Sequence, residues 1–85
     1  MPRKRPNPGS GKVVAKYLSN LASNVRKYRI EAALTQQELA TAAHLATTTI
    51  HEIESEKLGD VRLTTLCAIA KTLKKDPIKL IETRS

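Results

Sequence analysis

Apolar residues recur at three- and four-residue spacing along most of this chain, and such spacing places them on one face of an α-helix. The first stretch starts at about Val13 and carries Tyr17, Leu18, Leu21, Val25 and Tyr28. Nowhere does the sequence alternate apolar and polar residues between hairpin turns, as half-buried strands do. Its 85 residues are enough for one small domain. The pattern therefore predicts a single all-α domain.

Two further helices are predicted after the first one ends near residues 32–33. Thr35 and Glu38 form a T-x-x-E capping box, in which a hydroxyl and a carboxylate satisfy free amides at a helix start. A second helix is therefore expected at about residues 36–43. After a break around residues 44–46, a third amphipathic segment follows, whose inward residues are Ala46, Ile50 and Ile53.

A loop and two more helices complete the predicted fold. Residues 58–62 contain a Gly-Asp pair and are typical of a loop. Cys67 is expected to be a small buried thiol on the inward side of a fourth helix. The apolar face of that helix is marked by Leu63, Leu66, Ile69, Ala70 and Leu73. Asp76 and Pro77 suit the N-cap and first position of a short fifth helix that carries Ile78, Leu80 and Ile81.

The first twelve residues (MPRKRPNPGSGK) differ from the rest in composition. They hold three of the four prolines, two of the three glycines and no apolar periodicity. This predicts a disordered arm over residues 1–12 and a folded domain over residues 13–85. The basic side chains of the arm are Arg3, Lys4, Arg5 and Lys12.

Charge is distributed unevenly along the chain, whose net charge is +7. Residues 1–30 carry eight basic side chains and no acidic one. The balance reverses to −5 over residues 31–60 and returns to +4 over residues 61–85. Such segregation indicates that a polyanion contacts the N-terminal segment and parts of the C-terminal half. The alternative is a solvated basic tail that keeps the protein soluble.

Composition argues against several classes of protein. Two tyrosines are the only aromatic residues, so the stacking platforms of single-strand-binding modules are missing. With one cysteine, neither a disulfide framework nor a zinc site on paired cysteines is available. His44 and His51 have no third ligand at suitable spacing, so no metal, cofactor or catalytic residue is predicted. No apolar run reaches the roughly 18 residues of a membrane span, so we expect a cytoplasmic protein. Because no catalytic group is predicted, we do not expect an enzyme.

Three segments in combination carry a resemblance: residues 34–40 (LTQQELA), 50–54 (IHEIE) and 63–73 (LTTLCAIAKTL). Together they resemble the phage-repressor-like helix-turn-helix family, also called Xre-like or Cro/repressor-type, over roughly residues 18–82. The resemblance implies a compact five-helix, lambda-repressor-like domain whose helix-turn-helix unit spans about residues 36–54. It further implies a homodimer that binds an inverted repeat in double-stranded DNA and regulates transcription, most simply as a repressor.

The resemblance also assigns roles to particular side chains. The third helix would lie in the major groove, which admits one α-helix. His51 lies on the same face as the base-reading positions, which correspond to Thr47, Thr48, Thr49 and Glu52. Contacts to the DNA backbone correspond to Gln36, Ser55, Lys57 and Arg62. An internal ion pair between the first helix and the end of the third corresponds to Arg29 and Glu54.

Some of these residues also have a structural interpretation. Ala46 occupies the position where a capping serine is usual, so Thr47 or Thr48 is an alternative cap of the third helix. Glu52 is either a partner for the amino group of cytosine or a solvated or paired carboxylate, because phosphates repel it. Ordinary surface charges are the alternative for Lys57 and Arg62.

The chain departs from the family pattern in three respects. His44 stands where the turn between the second and third helices usually carries glycine, so either a left-handed backbone there carries a side-chain penalty or the turn differs. Glu56 replaces a second usual glycine, and the loop before Leu63 is about one residue longer than is common. The outward face of the third helix has no arginine or lysine, although these residues make the commonest specific contact, to guanine. We therefore expect affinity to come from the basic arm, through phosphates or an adjacent minor groove.

Two expectations concern partners. Ile78, Leu80 and Ile81 are expected at a two-fold dimer interface, with burial in the monomer core as the alternative. The alternative function is an antitoxin-type or other protein-binding module with the same fold, in which DNA binding is secondary. The acidic stretch over residues 52–60 would suit a basic protein partner.

Overall fold

Five helices account for the regular secondary structure of residues 8–83, the part of the chain that this computed structural model describes. They are α1 (Pro8–Glu31), α2 (Gln36–Ala42), α3 (Thr47–Glu54), α4 (Leu63–Leu73) and α5 (Pro77–Ile81). The predicted all-α, five-helix architecture is confirmed. Within the described residues, no helix combines the length and the apolar character that crossing a membrane requires.

α1 begins at Pro8, earlier than the predicted boundary between arm and domain. Proline suits the first position of a helix, because its φ is already helical and an N–H there would have no intrahelical partner. The side chains of residues 11–17 are exposed, so α1 extends beyond the core. Its first turn, before Val13, has no apolar periodicity that would predict a helix. Lys12 thus lies on a helix, whereas the arm residues Arg3, Lys4 and Arg5 lie outside the described residues.

Side-chain caps fix the starts of α2 and α5, as the sequence predicts. Thr35 Oγ1 accepts a hydrogen bond from the Glu38 N–H at 3.0 Å, and Glu38 Oε1 accepts one from the Thr35 N–H at 2.8 Å. At α5, Asp76 Oδ1 accepts from the Ile78 N–H at 2.9 Å, and Pro77 occupies the first helical position. These bonds satisfy amides that a helix start otherwise leaves free.

Helices α1 to α4 each close with a left-handed residue that is not glycine. The residues and their φ values are Ala33 (60°), His44 (59°), Glu56 (58°) and Lys74 (58°). At the end of α2, the Leu45 N–H donates to the Ala40 carbonyl at 2.8 Å, which is the long bond of a Schellman motif. The turn before α3 therefore keeps the left-handed backbone at His44, the first of the two predicted alternatives. Glu56 adopts the same conformation, in which a Cβ is unfavourable.

The core draws side chains from all five helices. Its largest fully buried side chains are Leu21, Val25, Leu39, Ile50, Ile69 and Leu80. On α4 the buried stripe is Leu66, Ile69, Ala70 and Leu73. Two predictions for this helix are wrong, because Leu63 is 71% exposed and the Cys67 thiol is exposed. Each helical step turns a side chain by about 100°, which carries Cys67 off the stripe that Leu66 joins.

Asparagine side chains of α1 hold the C-terminal end of α5. Asn24 is buried, and its Nδ2 donates to the carbonyls of Leu80 at 3.0 Å and Glu82 at 2.9 Å. Asn20 Nδ2 donates to the Ile81 carbonyl at 3.0 Å. The last carbonyls of a helix need such partners. α5 is thus anchored on α1, and the fully buried Leu80 has no surface for a second subunit, which corrects its prediction as a dimer contact.

Candidate nucleic-acid interface

α2 and α3 form a helix-turn-helix unit whose inward side chains belong to the core. Leu39 and Ala40 of α2 and Ile50 and Ile53 of α3 are buried together. The turn between the helices closes at His44, whose N–H donates to the Thr41 carbonyl at 3.2 Å. Packing on one side therefore fixes the orientation of α3 and leaves its other face in solvent.

The exposed face of α3 carries three of the five predicted base-reading residues. Thr47, Thr48 and His51 are exposed, and residues three or four apart on a helix are neighbours. Thr49 and Glu52 are half-buried. Short hydroxyls and an imidazole both donate and accept hydrogen bonds, which is what contact with base edges requires.

The start of α3 has no side-chain cap. Ala46 occupies the N-cap and has no hydrogen-bonding side chain, and the Thr47 and Thr48 hydroxyls do not take over this role. The alternative in which one of these threonines caps the helix is therefore wrong. A helix start with free amides favours a negatively charged or accepting group. At α2, by contrast, the capping box of Thr35 and Glu38 already occupies such amides.

A nearly buried ion pair joins the ends of α1 and α3. Arg29 Nε lies 2.7 Å from Glu54 Oε2, and Arg29 Nη2 lies 3.0 Å from Glu54 Oε1. The Glu54 side chain is 4% exposed and the Arg29 side chain 12%. Arg29 Nη1 also donates to the Leu34 carbonyl at 2.8 Å, in the turn that leads to α2. The predicted ion pair is thus present as a bidentate contact.

The contact with Glu54 changes the pKa of Arg29. Hydrogen bonding to Glu54 raises the pKa of Arg29 above its ordinary value, burial lowers it by less, and the charge of Glu54 adds to the rise. A raised pKa of a basic group contributes stability that is present below the ordinary pKa and is lost only as pH rises through the folded-state value. Arg29 therefore stays protonated at neutral and moderately alkaline pH.

Gln36, at the start of α2, braces the same ion pair. Its Nε2 donates to Glu54 Oε1 at 3.1 Å, and the side chain is half-buried. An amide group carries two donor hydrogens, so one remains for a further acceptor. Gln36 thus links the start of α2 to the end of α3.

The loop between α3 and α4 carries the other predicted backbone contacts. Lys57 and Arg62 are exposed at its two sides. Ser55 is also exposed, but its Oγ donates to the His51 carbonyl at 2.6 Å. A phosphate accepts hydrogen bonds, so Ser55 cannot donate to one while this bond is kept. Ser55 therefore closes the end of α3, whereas the side chains of Lys57 and Arg62 make no such hydrogen bond within the described residues and extend into solvent.

Sequence analysis missed a basic surface on which two lysines meet Tyr28. Lys27 Nζ lies 5.5 Å and Lys75 Nζ 4.6 Å from the centroid of the Tyr28 ring. These distances are typical of cation–π contacts. Lys75 follows α4 in the chain, and no local pattern links it to α1, so only the fold reveals this pairing. The buried Asn24 was missed for the same reason.

The described residues contain no group of three or more His, Cys, Asp or Glu side chains arranged to hold a metal ion. His44 lies at the end of α2 and His51 on α3, and both are exposed. His51 belongs to the exposed face described above, as the sequence predicts.

Comparison with known proteins agrees with this geometry. A family model described as helix-turn-helix matches residues 25–80. A search among curated proteins found no match. The fold is similar to the restriction-modification controller protein C.AhdI from Aeromonas hydrophila, with a TM-score of 0.70 and 24% identity over 74% of this chain and 94% of that one. It is also similar to the hypothetical transcription factor NHTF from Neisseria, with a TM-score of 0.75 and 22% identity over 95% and 83%.

Proposed function

This chain belongs to the helix-turn-helix family, and from that premise we propose that it is a transcription regulator that binds double-stranded DNA sequence-specifically through α3. The observation that carries the proposal is the uncapped start of α3, whose exposed threonines stand beside free amides. The major groove is wide enough for one helix, and the first residues of a recognition helix reach the base edges.

The exposed face of α3 carries side chains that discriminate only weakly between bases. Thr47 and Thr48 can bond to any base through the hydroxyl and can contact thymine through the methyl group. His51 adds a third polar contact one turn on. Glu52 is half-buried, and its carboxylate would have to turn outward to accept a hydrogen bond from the amino group of cytosine. Without that bond, the carboxylate is repelled by the phosphates of DNA. Discrimination is therefore spread over several modest contacts.

Affinity comes chiefly from phosphates. Gln36, at the start of α2, would bind a phosphate beside the groove through its remaining amide hydrogen. Lys57 and Arg62, exposed in the loop after α3, would bind further phosphates. Lys12 on α1 and the arm residues Arg3, Lys4 and Arg5 add positive charge. Counterion release from DNA then makes binding steeply dependent on salt.

The protein acts as a homodimer on an inverted repeat, most simply as a repressor that blocks access to a promoter. Two copies related by a two-fold axis place their α3 helices in major grooves about one helical turn, or 34–36 Å, apart. Of the residues predicted at the interface, Ile78 is 65% exposed and Ile81 is half-buried, so both keep surface for a partner.

The test is selection of the purified full chain against random duplex DNA at about 150 mM salt, where nonspecific phosphate binding is weak. Recovery of a palindromic motif supports the proposal and identifies the operator. Recovery of duplexes without a motif would reduce the protein to a nonspecific basic binder. If no DNA is recovered, the antitoxin-type, protein-binding alternative takes the place of this proposal.

A further inference from the structure

The N-terminal part of α1 carries an apolar strip, Val13, Val14 and Tyr17, that the monomer leaves in solvent. These side chains are 53%, 40% and 44% exposed. They lie on the side of α1 that enters the core one or two turns later, because Tyr17 and Val14 precede the buried Leu21 by four and seven residues. Soluble monomers scatter exposed apolar side chains singly, whereas these adjoin one another.

The strip borders a hollow of about 230 Å³ whose walls are almost entirely apolar. Leu18 and Leu21 of α1 line it together with Val61, Leu66 and Ile81 from the rest of the fold, and Asp60 lies at its border. Ile81 thus links the strip to α5, on which sequence analysis expected a dimer interface. An apolar surface that is continuous across two helices is typical of a protein–protein contact.

Charges of opposite sign lie on the two sides of the strip. Lys16 provides the positive charge on one side, where its Nζ lies 5.9 Å from the centroid of the Tyr17 ring. On the other side, Glu56 and Asp60 of the loop after α3 line a neighbouring hollow together with Val14 and Leu18. Neither acid is paired with a lysine by the salt bridges of the described residues. The strip therefore has one basic and one acidic flank.

We propose that a second copy of this chain covers the strip, with the two α1 helices side by side and parallel. A two-fold axis running along α1 brings Lys16 of each copy opposite Asp60 of the other, so both flanks are complementary at once. DNA would meet repulsion at Glu56 and Asp60. This arrangement would be the contact surface of the homodimer in the proposed function. Only its role in DNA binding rests on that function.

The first test is sedimentation equilibrium of the full chain, without DNA, at micromolar concentration. Val13→Gln with Tyr17→Gln keeps helix propensity and net charge but removes the apolar surface. We expect wild type to be a dimer and this variant to dissociate at least tenfold more readily, with an unchanged helical circular-dichroism spectrum. Ile30→Gln, which removes another exposed apolar side chain at the far end of α1, is the matched control and should remain dimeric. Ile78→Gln tests the competing interface on α5 and should also remain dimeric if α1 forms the contact.

The second test uses charge reversal. Lys16→Glu makes positions 16 and 60 both acidic and Asp60→Lys makes both basic, so each variant alone should dimerise more weakly than wild type. Mixed in equal amounts, the two variants should form a heterodimer, because every facing pair is then opposite in charge. Native mass spectrometry distinguishes the heterodimer from either homodimer.

Three results would overturn the proposal: a monomeric wild type, dissociation by Ile78→Gln rather than by the α1 variant, or the absence of heterodimer enrichment in the mixture. The outcome is separable from that of the proposed function. Random-duplex selection with the Val13→Gln, Tyr17→Gln variant should still recover a single half-site if α3 reads DNA, whether or not α1 forms the dimer. Failure of wild type to select any motif would instead contradict DNA reading and leave the sedimentation result intact.

Discussion

His44 adopts a left-handed backbone at φ 59°, which costs a residue with a Cβ about 1–2 kcal/mol. Glycine removes this cost but makes the unfolded chain more flexible, at about 0.5–1 kcal/mol. We expect His44→Gly to raise the free energy of unfolding by up to about 1 kcal/mol, measured by urea denaturation. The matched control is Thr41→Gly, on the exposed side of α2, which should lower it by about 0.3 kcal/mol, because threonine is itself a weak helix former. A His44→Gly protein less stable than wild type would contradict the left-handed assignment.

Arg29 compensates the charge of Glu54, whose side chain is nearly buried. Loss of Arg29 would therefore leave a buried charge without its partner and destabilise the fold. Arg29→Met leaves the Glu54 carboxylate with the Gln36 amide alone, so we expect a loss of about 3–5 kcal/mol in the free energy of unfolding. Arg29→Met combined with Glu54→Met removes the stranded charge and should lose less than Arg29→Met alone. Equal stability of the single and double variants in urea would show that the carboxylate is not buried as described.

At the scale of elements, α5 depends on hydrogen bonds from α1 as much as on the burial of Leu80. Asn24→Ala leaves the Leu80 and Glu82 carbonyls without these donors, at about 1–3 kcal/mol. We expect amide hydrogen exchange in α5 to accelerate more than in α2 and α3, because the anchor of α5 is lost first. Asn20→Ala, at a half-buried site with one such bond, is the control and should have the smaller effect. Uniform acceleration in every helix would contradict a local anchor.

Elements with local determinants were predictable, and those with distant ones were not. The T-x-x-E box at Thr35 and the Asp76–Pro77 pair each place donor and acceptor within a few residues, so the starts of α2 and α5 follow from sequence. The bonds of Asn24 reach carbonyls more than fifty residues away, and no spacing rule identifies them. The start of α1 escaped prediction because its first turn, before Val13, has no apolar periodicity.

The same distinction applies to the candidate interface. The resemblance to the helix-turn-helix family placed Arg29 opposite Glu54 and put Thr47 and Thr48 at the start of α3, and the structure has the ion pair and exposes both threonines. Two details depended on hydrogen bonds that only coordinates reveal. One is whether a threonine caps α3, and the other is whether the Ser55 hydroxyl is free for a phosphate.

For the whole molecule, the balance between phosphate contacts and base contacts is measurable as a salt dependence. Deleting residues 2–7 removes Arg3, Lys4 and Arg5 and leaves α1 intact from Pro8. If all three side chains contact phosphates, the slope of log affinity against log salt should become shallower by about 2.7 per subunit, or about 5.4 for the dimer, since each contact contributes roughly 0.9. Fluorescence anisotropy with a labelled duplex measures both slopes. Identical slopes would remove the arm from the interface.

The central claim is that the exposed start of α3 reads DNA sequence, and the most direct measurement compares two duplexes. One is the motif recovered by selection and the other a permuted duplex of the same composition, both at about 150 mM salt. We predict that Thr47→Ala with Thr48→Ala weakens binding to the motif by about 1–3 kcal/mol and leaves the permuted duplex unaffected, because phosphate contacts carry no sequence information. Thr64→Ala, on the exposed side of α4, should change neither. Equal loss on both duplexes, or no loss on the motif, would contradict the account.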